Sequence, residues 1–483
     1  MIPPLKVAVA ITFCLEAVLL AWLHGGVTPL GRLLSQLVAV AALAAMAMPA
    51  PTGLRWGSVR GPLVLLGGLA ALALAQSVPL PAAAVELLSS DRLALARVTA
   101  NAAGLEVPTR LPVSLTPAIS RQVAVELVCL AAAVAAAAAA FGSRRRRRWL
   151  VVAGLTAAIS QVILGARSFL AGEVPRLLGS YANSDHVALL LEVNVVMCIA
   201  AIVWVSASRA WKGRDEQRLF GVAALGALAL ILFAGIALTG SRAAVVATAV
   251  GLAVVMGPLM FRPRLRRPLV VAACLVLLAG AFLSWVGTER AFGRLLATSL
   301  YDAAASPRAA VWRESAALVG VSPVVGTGLG AFRESYALVQ ETGIARITWA
   351  RAHNDYLELL ISGGFVGLAL LFVGGALTVR DLKTRYRSAI GSENRLYVLG
   401  VLGGLAAIGC HEFLDFGLSL PANALFAALL TGSALATGAD ASERDQIEPA
   451  GRKLAPASRS SSSTTRAEFS GGSSRSTEPA PIP

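Results

Sequence analysis

His353 lies in Arg351-Ala352-His353-Asn354-Asp355-Tyr356-Leu357, a polar knot set directly against the apolar run from Leu357 to Val379. An ionisable group at the mouth of a membrane span is costly and must find a partner or a task. An imidazole there can hold an anion or take a proton near neutral pH; a polar cap on a helix end is the alternative. Asn354 and Asp355 suit the capping role for a helix that Tyr356 begins.

Arg242 ends Thr239-Gly240-Ser241-Arg242, a turn too short to be a loop between two apolar runs. Pinned at the boundary, its guanidinium offers planar, bidentate donors suited to phosphate oxygens; the alternative is an arginine snorkelling from a helix end. Arg308 and Trp312 are spaced i, i+4 on a short amphipathic helix expected over 307–318, with Pro307 near its first turn. Trp312 is either a platform for sugar or an interface anchor. A second helix is expected over 331–340, after a glycine run. In that run Gly326, Gly328 and Gly330 are read as turn formers, because no strand precedes them as it would in a dinucleotide site. His186 could pair with its neighbour Asp185. His411, Glu412 and Asp415 put carboxylates just before the last apolar run, where they would tune a base, balance arginines, or form a solvated helix end. The chain has no P-loop, H-E-x-x-H, paired-Asp metal motif or serine-nucleophile elbow. Its five cysteines all fall in apolar runs, with neither metal-ligand nor disulfide spacing.

These residues must be positioned by membrane helices. With 56% hydrophobic and 14% charged residues and a mean hydropathy of +0.71, the 483-residue chain has more apolar surface than one soluble core can bury. Apolar runs at about 5–23, 30–48, 61–80, 121–141, 149–168, 186–207, 219–239, 243–260, 268–287, 356–379, 396–411 and 421–438 predict an all-α polytopic membrane protein of about twelve spans. The first run reads as a retained span rather than a signal peptide. A net charge of +15 would suggest nucleic acid in a soluble chain. Here the arginines cluster between apolar runs, as cytoplasmic loops do, and no nucleic-acid partner is expected.

With the N-terminus inside, every basic cluster falls on one side: Arg55 with Arg60, Arg144 to Arg148, Arg209 to Arg218, Arg262 to Arg267, and Arg380 to Arg387. Two long loops, about 81–120 and 288–355, then face outward. The second is unusually rich in arginine for that side, and holding an anionic group outside the membrane is its physical use. Residues 1–439 read as one membrane domain with a helical outer loop cap, and 440–483, rich in Ser, Arg, Pro and Gly, as a disordered cytoplasmic tail.

Thr239-Gly-Ser-Arg242-Ala, Arg308-Ala-Ala-Val-Trp312, Ser322-Pro-Val-Val-Gly-Thr-Gly-Leu-Gly-Ala-Phe332, Ala352-His353-Asn354-Asp355-Tyr356-Leu357 and His411-Glu-Phe-Leu-Asp415 through Pro421-Ala-Asn-Ala occur in one order. Over about 178–430 this set resembles the O-antigen ligase and O-antigen polymerase superfamily of bacterial membrane glycosyltransferases. Two departures are Ser184-Asp185-His186, where relatives often have Asn-Arg-Asn-His or similar, and Gly417, where Asn is common.

The resemblance implies a GT-C-like fold with a periplasmic loop cap in the bacterial inner membrane. It implies transfer or polymerisation of a glycan carried on undecaprenyl pyrophosphate, without metal or other cofactor, onto a lipid-linked repeat or a lipid A core. On that reading His353, Arg242 and Arg308 are catalytic. Arg351, Trp312, His186 and Asp415 bind substrate, and membrane lipids surround the whole. The rival is a transporter or flippase of lipid-linked saccharides, whose mark is ionisable groups in mid-span; the runs here read as mostly clean.

Overall fold

The computed structural model describes residues 3–47, 59–207, 213–260, 307–341, 349–389 and 391–437. The chain is almost entirely helical. In order come α1 (Pro3–Trp22), α2 (Pro29–Ala47), α3 (Arg60–Ser77), β1 (Leu80–Pro81), α4 (Ala82–Leu88), α5 (Ser90–Ala102), β2 (Arg110–Leu111), α6 (Pro117–Ala140), α7 (Arg144–Leu170), α8 (Ser184–Ala207), α9 (Asp215–Thr239) and α10 (Arg242–Met260). After the segment 261–306 follow α11 (Pro307–Ala316), a 3-10 turn (Ala317–Gly320), α12 (Phe332–Tyr336), α13 (Asp355–Ser388), α14 (Ser392–His411) and α15 (Pro421–Leu435).

Among the described residues eight helices, α1, α3, α6 to α10 and α13, are long and apolar enough to cross a bilayer. Pro29–Ala44 within α2 and Pro421–Leu435 are shorter apolar helices, and α14 opens on the polar stretch Ser392-Glu-Asn-Arg395. The expected run at 268–287 and the tail 440–483 lie outside the described residues; each of the other expected runs is a helix. Residues 81–120, expected only as a loop, carry α4, α5 and the antiparallel pair β1–β2, in which Leu80 faces Leu111.

Local chemistry sets the helix ends. The Ser143 side chain accepts from the Arg146 amide at the start of α7. Pro421 opens α15, where its missing N–H costs nothing. Gly240 closes α9 at φ +62°, a conformation that only glycine adopts freely, which lets α10 begin two residues later.

α8 runs through the middle of the bundle, packed by α7, α9, α10 and α14, and 89% of its apolar window is buried. At about 1.5 Å per residue its length spans a bilayer, so its two ends mark the two ends of the bundle. At one end Arg148 forms a two-pronged pair with Glu393 at 2.7 and 2.9 Å, and Arg147 donates to Asn394 at 2.8 Å. At the other, the first residues of α8 meet α11, the start of α13 and the turn after α14.

α13 is broken. Gly364 adopts φ +62° and ψ −165°, leaving carbonyls before the break and amides after it without helical partners. The glycine run fills the gap: Thr327 and Gly328 donate to Ile361 and Ser362 at 3.0 Å, while Phe365 and Val366 donate to Pro323 and Val324 at 2.8 and 3.1 Å. Gln76 of α3 joins both sides, donating to the Val325 and Ser362 carbonyls and accepting from the Leu329 amide. The amides of Gly326, Thr327, Gly328 and Leu329 are thus spent inside the protein, so the run forms a turn, as expected, and offers these groups to no anion.

A side chain at 364 would meet the Val324 carbonyl and force a backbone that disfavours any Cβ. Gly364→Ala is expected to cost about 1–3 kcal/mol from strain alone. Thermal unfolding of the purified protein in detergent checks it; an unchanged midpoint would mean that the break is not structural.

Candidate functional site

The chemistry-bearing residues meet around two carboxylates. Asp185 stands in the first turn of α8, and Asp415 in the turn between α14 and α15, fully buried. Asp415 Oδ1 lies 2.9 Å from His353 Nδ1, and its Oδ2 lies 3.4 Å from His186 Nε2. One carboxylate therefore faces two imidazoles. Phe416 fills the angle between them, edge-on to His186 at 4.5 Å and to His353 at 4.7 Å between ring centroids.

His353 sits at φ +53°, left-handed backbone that costs a residue with a Cβ about 1–2 kcal/mol. The turn is held from both sides. Asn354 caps α13, accepting from the Leu357 amide at 3.0 Å, and Asp355 donates its own amide to the Glu412 carbonyl at 2.9 Å. Trp312 donates its indole N–H to the Ala352 carbonyl at 2.8 Å. Glu358 accepts from the Ala352 amide at 3.0 Å and from Arg351 at 2.7 Å. With Nδ1 engaged by Asp415, His353 has Nε2 left to meet a ligand.

Arg308 enters from α11. Its Nη2 pairs with Asp185 at 2.9 Å and stands 4.0 Å from Asp415, while Nη1 donates to the Leu414 carbonyl at 3.0 Å. Asp185 is also within hydrogen-bonding reach of Ser241. That contact brings the Thr239–Arg242 turn to the same place. Thr239 and Ser241 are buried, and Arg242, one residue on, is exposed with no ion pair among the described residues.

Of the residues predicted from sequence, His353, His186, Asp415 and Arg308 are brought together directly. Arg242 is at the rim. Trp312 and Arg351 brace the segment that carries His353; the Arg351 guanidinium also lies 5.8 Å from the centre of the Phe416 ring. His186 pairs with Asp415 rather than with Asp185, because adjacent residues on a helix point apart. His411, Glu412 and Asp415 form no solvated helix end: all three are buried.

Several residues at or near the site were not read from the sequence. Arg176, in the segment before α8, pairs with Asp185 at 3.2 Å and donates through Nε to the Thr239 carbonyl. No motif marks it. Glu192, two turns along α8, is fully buried against His411, with Nδ1 to Oε2 at 2.8 Å. Here a signal was available, since a glutamate interrupts an otherwise apolar run; the run is not clean. Glu16 is a second buried carboxyl within a span, on α1.

Residues 227–372 match the family model described as O-antigen ligase. That stretch holds Arg242, Arg308 and His353 but neither α8 nor the 411–421 turn, so Asp185, His186 and Asp415 are added by the geometry. A search of curated proteins found no match to the chain.

Glu412 is held well above the usual carboxylate range by burial and by the neighbouring Asp355 carboxylate. A folded state that keeps this proton longer than the unfolded chain loses stability as pH rises from about 4.5 until the folded group ionises. Glu412→Gln keeps an acceptor for the Leu418 amide, which bonds Oε1 at 3.0 Å, and removes the titration. Its unfolding midpoint is expected to fall less between pH 5 and pH 8 than the parent's, by roughly a few degrees; parallel curves would rule this out.

Proposed function

We propose, on the membership of the O-antigen ligase superfamily that this match supports, that the chain is a multi-pass membrane glycosyltransferase with a GT-C-like fold. It takes a glycan from undecaprenyl pyrophosphate at the periplasmic face of the bacterial inner membrane, in surface-polysaccharide synthesis. The observation that carries this reading is the arrival of His353, Arg308 and the Arg242 turn at the Asp185 and Asp415 carboxylates.

Glycosyl transfer from such a donor needs charge stabilised on a departing lipid pyrophosphate and a proton removed from the acceptor hydroxyl. Arg308, held by Asp185 and the Leu414 carbonyl, and Arg242, exposed at the rim, serve the first need as guanidinium donors to the phosphate oxygens. Asp415 fixes the ring of His353, so that Nε2 faces the acceptor and takes its proton as the new glycosidic bond forms. No step calls for a metal. His186 shares Asp415, and Trp312 with Arg351 keeps the His353 turn in place. A second lipid-linked repeat as acceptor makes the protein a polymerase, a lipid A core sugar makes it a ligase, and a protein acceptor makes it an oligosaccharyltransferase.

The rival reading, a transporter of lipid-linked saccharides, gains something from the mid-span carboxyls Glu16 and Glu192. Against it, Glu192 Oε2 is already taken by His411 Nδ1 at 2.8 Å.

Purified protein given a synthetic lipid-pyrophosphate oligosaccharide should yield longer or transferred glycan. Ala at His353, Arg308 or Arg242 should lower the rate by about a hundredfold or more with insertion and folding intact. Ala at Arg264 or Arg385 should leave activity near the parent's. Substrate movement without new glycosidic bonds, or full activity in His353→Ala, would sink the reading. In a deletion strain, a lipid A core bearing one repeat marks the polymerase and a bare core the ligase.

A further inference from the structure

The two boundary arginines of the proposed site do not suffice to make it positive. Arg308 faces both carboxylates, Asp185 at 2.9 Å and Asp415 at 4.0 Å, and Arg242 stands exposed at the rim, so with neutral histidines these four groups sum to no net charge. Arg351 adds nothing, since Glu358 neutralises it at 2.7 Å. A lipid-pyrophosphate sugar is a dianion, and its leaving group gains a further negative charge as the glycosidic bond breaks. A neutral, partly desolvated cluster has no field with which to hold it.

Arg176 supplies the missing charge. Its Nη2 takes Asp185 Oδ1 at 3.2 Å while Arg308 takes Oδ2 at 2.9 Å, so one carboxylate holds two guanidiniums from separate segments side by side. Both side chains remain about one-third exposed, at 32% and 36%. Each guanidinium therefore keeps part of its surface open to solvent beside the carboxylate. Nη1 of Arg176 has no hydrogen bond among the described residues. Nε holds the Thr239 carbonyl and Nη2 the Asp185 carboxylate, which leaves Nη1 for a ligand.

We propose that Arg176 is a third phosphate-binding guanidinium, with Asp185 as the residue that positions it beside Arg308 for a diphosphate rather than a monophosphate. The inference rests on the transferase reading above and adds to it a residue, a partner for that residue, and a ligand preference.

The test is binding of undecaprenyl diphosphate and of undecaprenyl monophosphate to the purified full-length protein in detergent, without turnover. The parent is expected to prefer the diphosphate. Arg176→Gln, which keeps a donor for Thr239 but removes the charge, should weaken diphosphate binding about tenfold while changing monophosphate binding little, so the preference collapses. Its unfolding midpoint without ligand should match the parent's. If the glutamine variant fails to fold, Arg176→Lys replaces it; retained diphosphate preference supports the charge argument and its loss in a folded protein overturns it. Diphosphate preference intact in folded Arg176→Gln, with binding weakened in Arg308→Gln, overturns the role of Arg176 and leaves the transferase reading standing. A parent that binds no diphosphate, or an Arg308→Gln variant that binds as the parent does, overturns both.

Discussion

A single buried carboxylate holds the site together. Asp415 is wholly shielded from water, and a charge so placed survives only with partners at close range. It finds them in His353, His186 and, at 4.0 Å, Arg308. Those three side chains come from the start of α13, the start of α8 and α11, elements far apart in the chain. Removing one partner of such a group costs about 3–5 kcal/mol, enough to fix the relative placement of all three elements. The same bond offsets the left-handed backbone of His353, which would otherwise relax and turn the ring away.

Central burial of α8 makes that arrangement rigid. Asp185 and His186 sit at its first turn, and Glu192 two turns further in, bound to His411. His411 is the last residue of α14 and begins the turn that ends at Asp415. One fully buried hydrogen bond between α8 and α14 therefore sets the height of that turn against the helix carrying the other half of the site. At the opposite end of the bundle the Arg148 pair with Glu393 is exposed on its arginine side, where solvent weakens the contact.

What the sequence made legible divides along physical lines. Helix placement follows from hydropathy over about 20 residues, a property of composition alone: each described run is a helix, and eight of the described helices are long and apolar enough to cross a bilayer. The helix with Arg308 and Trp312 was announced by Pro307, and the Asn354 cap by its residue type, because both are local effects. Partnerships were harder. His186 next to Asp185 looks like a pair in a string of letters, yet helical geometry turns the two side chains about 100° apart and gives His186 a partner over two hundred residues away. Arg176 and Gln76 had no local signal: each matters through segments that only folding brings near, the 239–241 turn for one and the break in α13 for the other.

The break at Gly364 has a wider meaning for how this protein is built. Inside a membrane every peptide group needs a partner, and here the groups released by the interrupted helix are matched, amide to carbonyl and carbonyl to amide, by residues 323–328. That segment is the continuation of the stretch bearing Arg308 and Trp312. Residues 323–328 are thus knitted into the bundle as a missing piece of one of its helices, and lifting them away would strand the backbone dipoles of α13. A ligand of the proposed site would meet a wall whose backbone hydrogen bonds continue into the bundle itself.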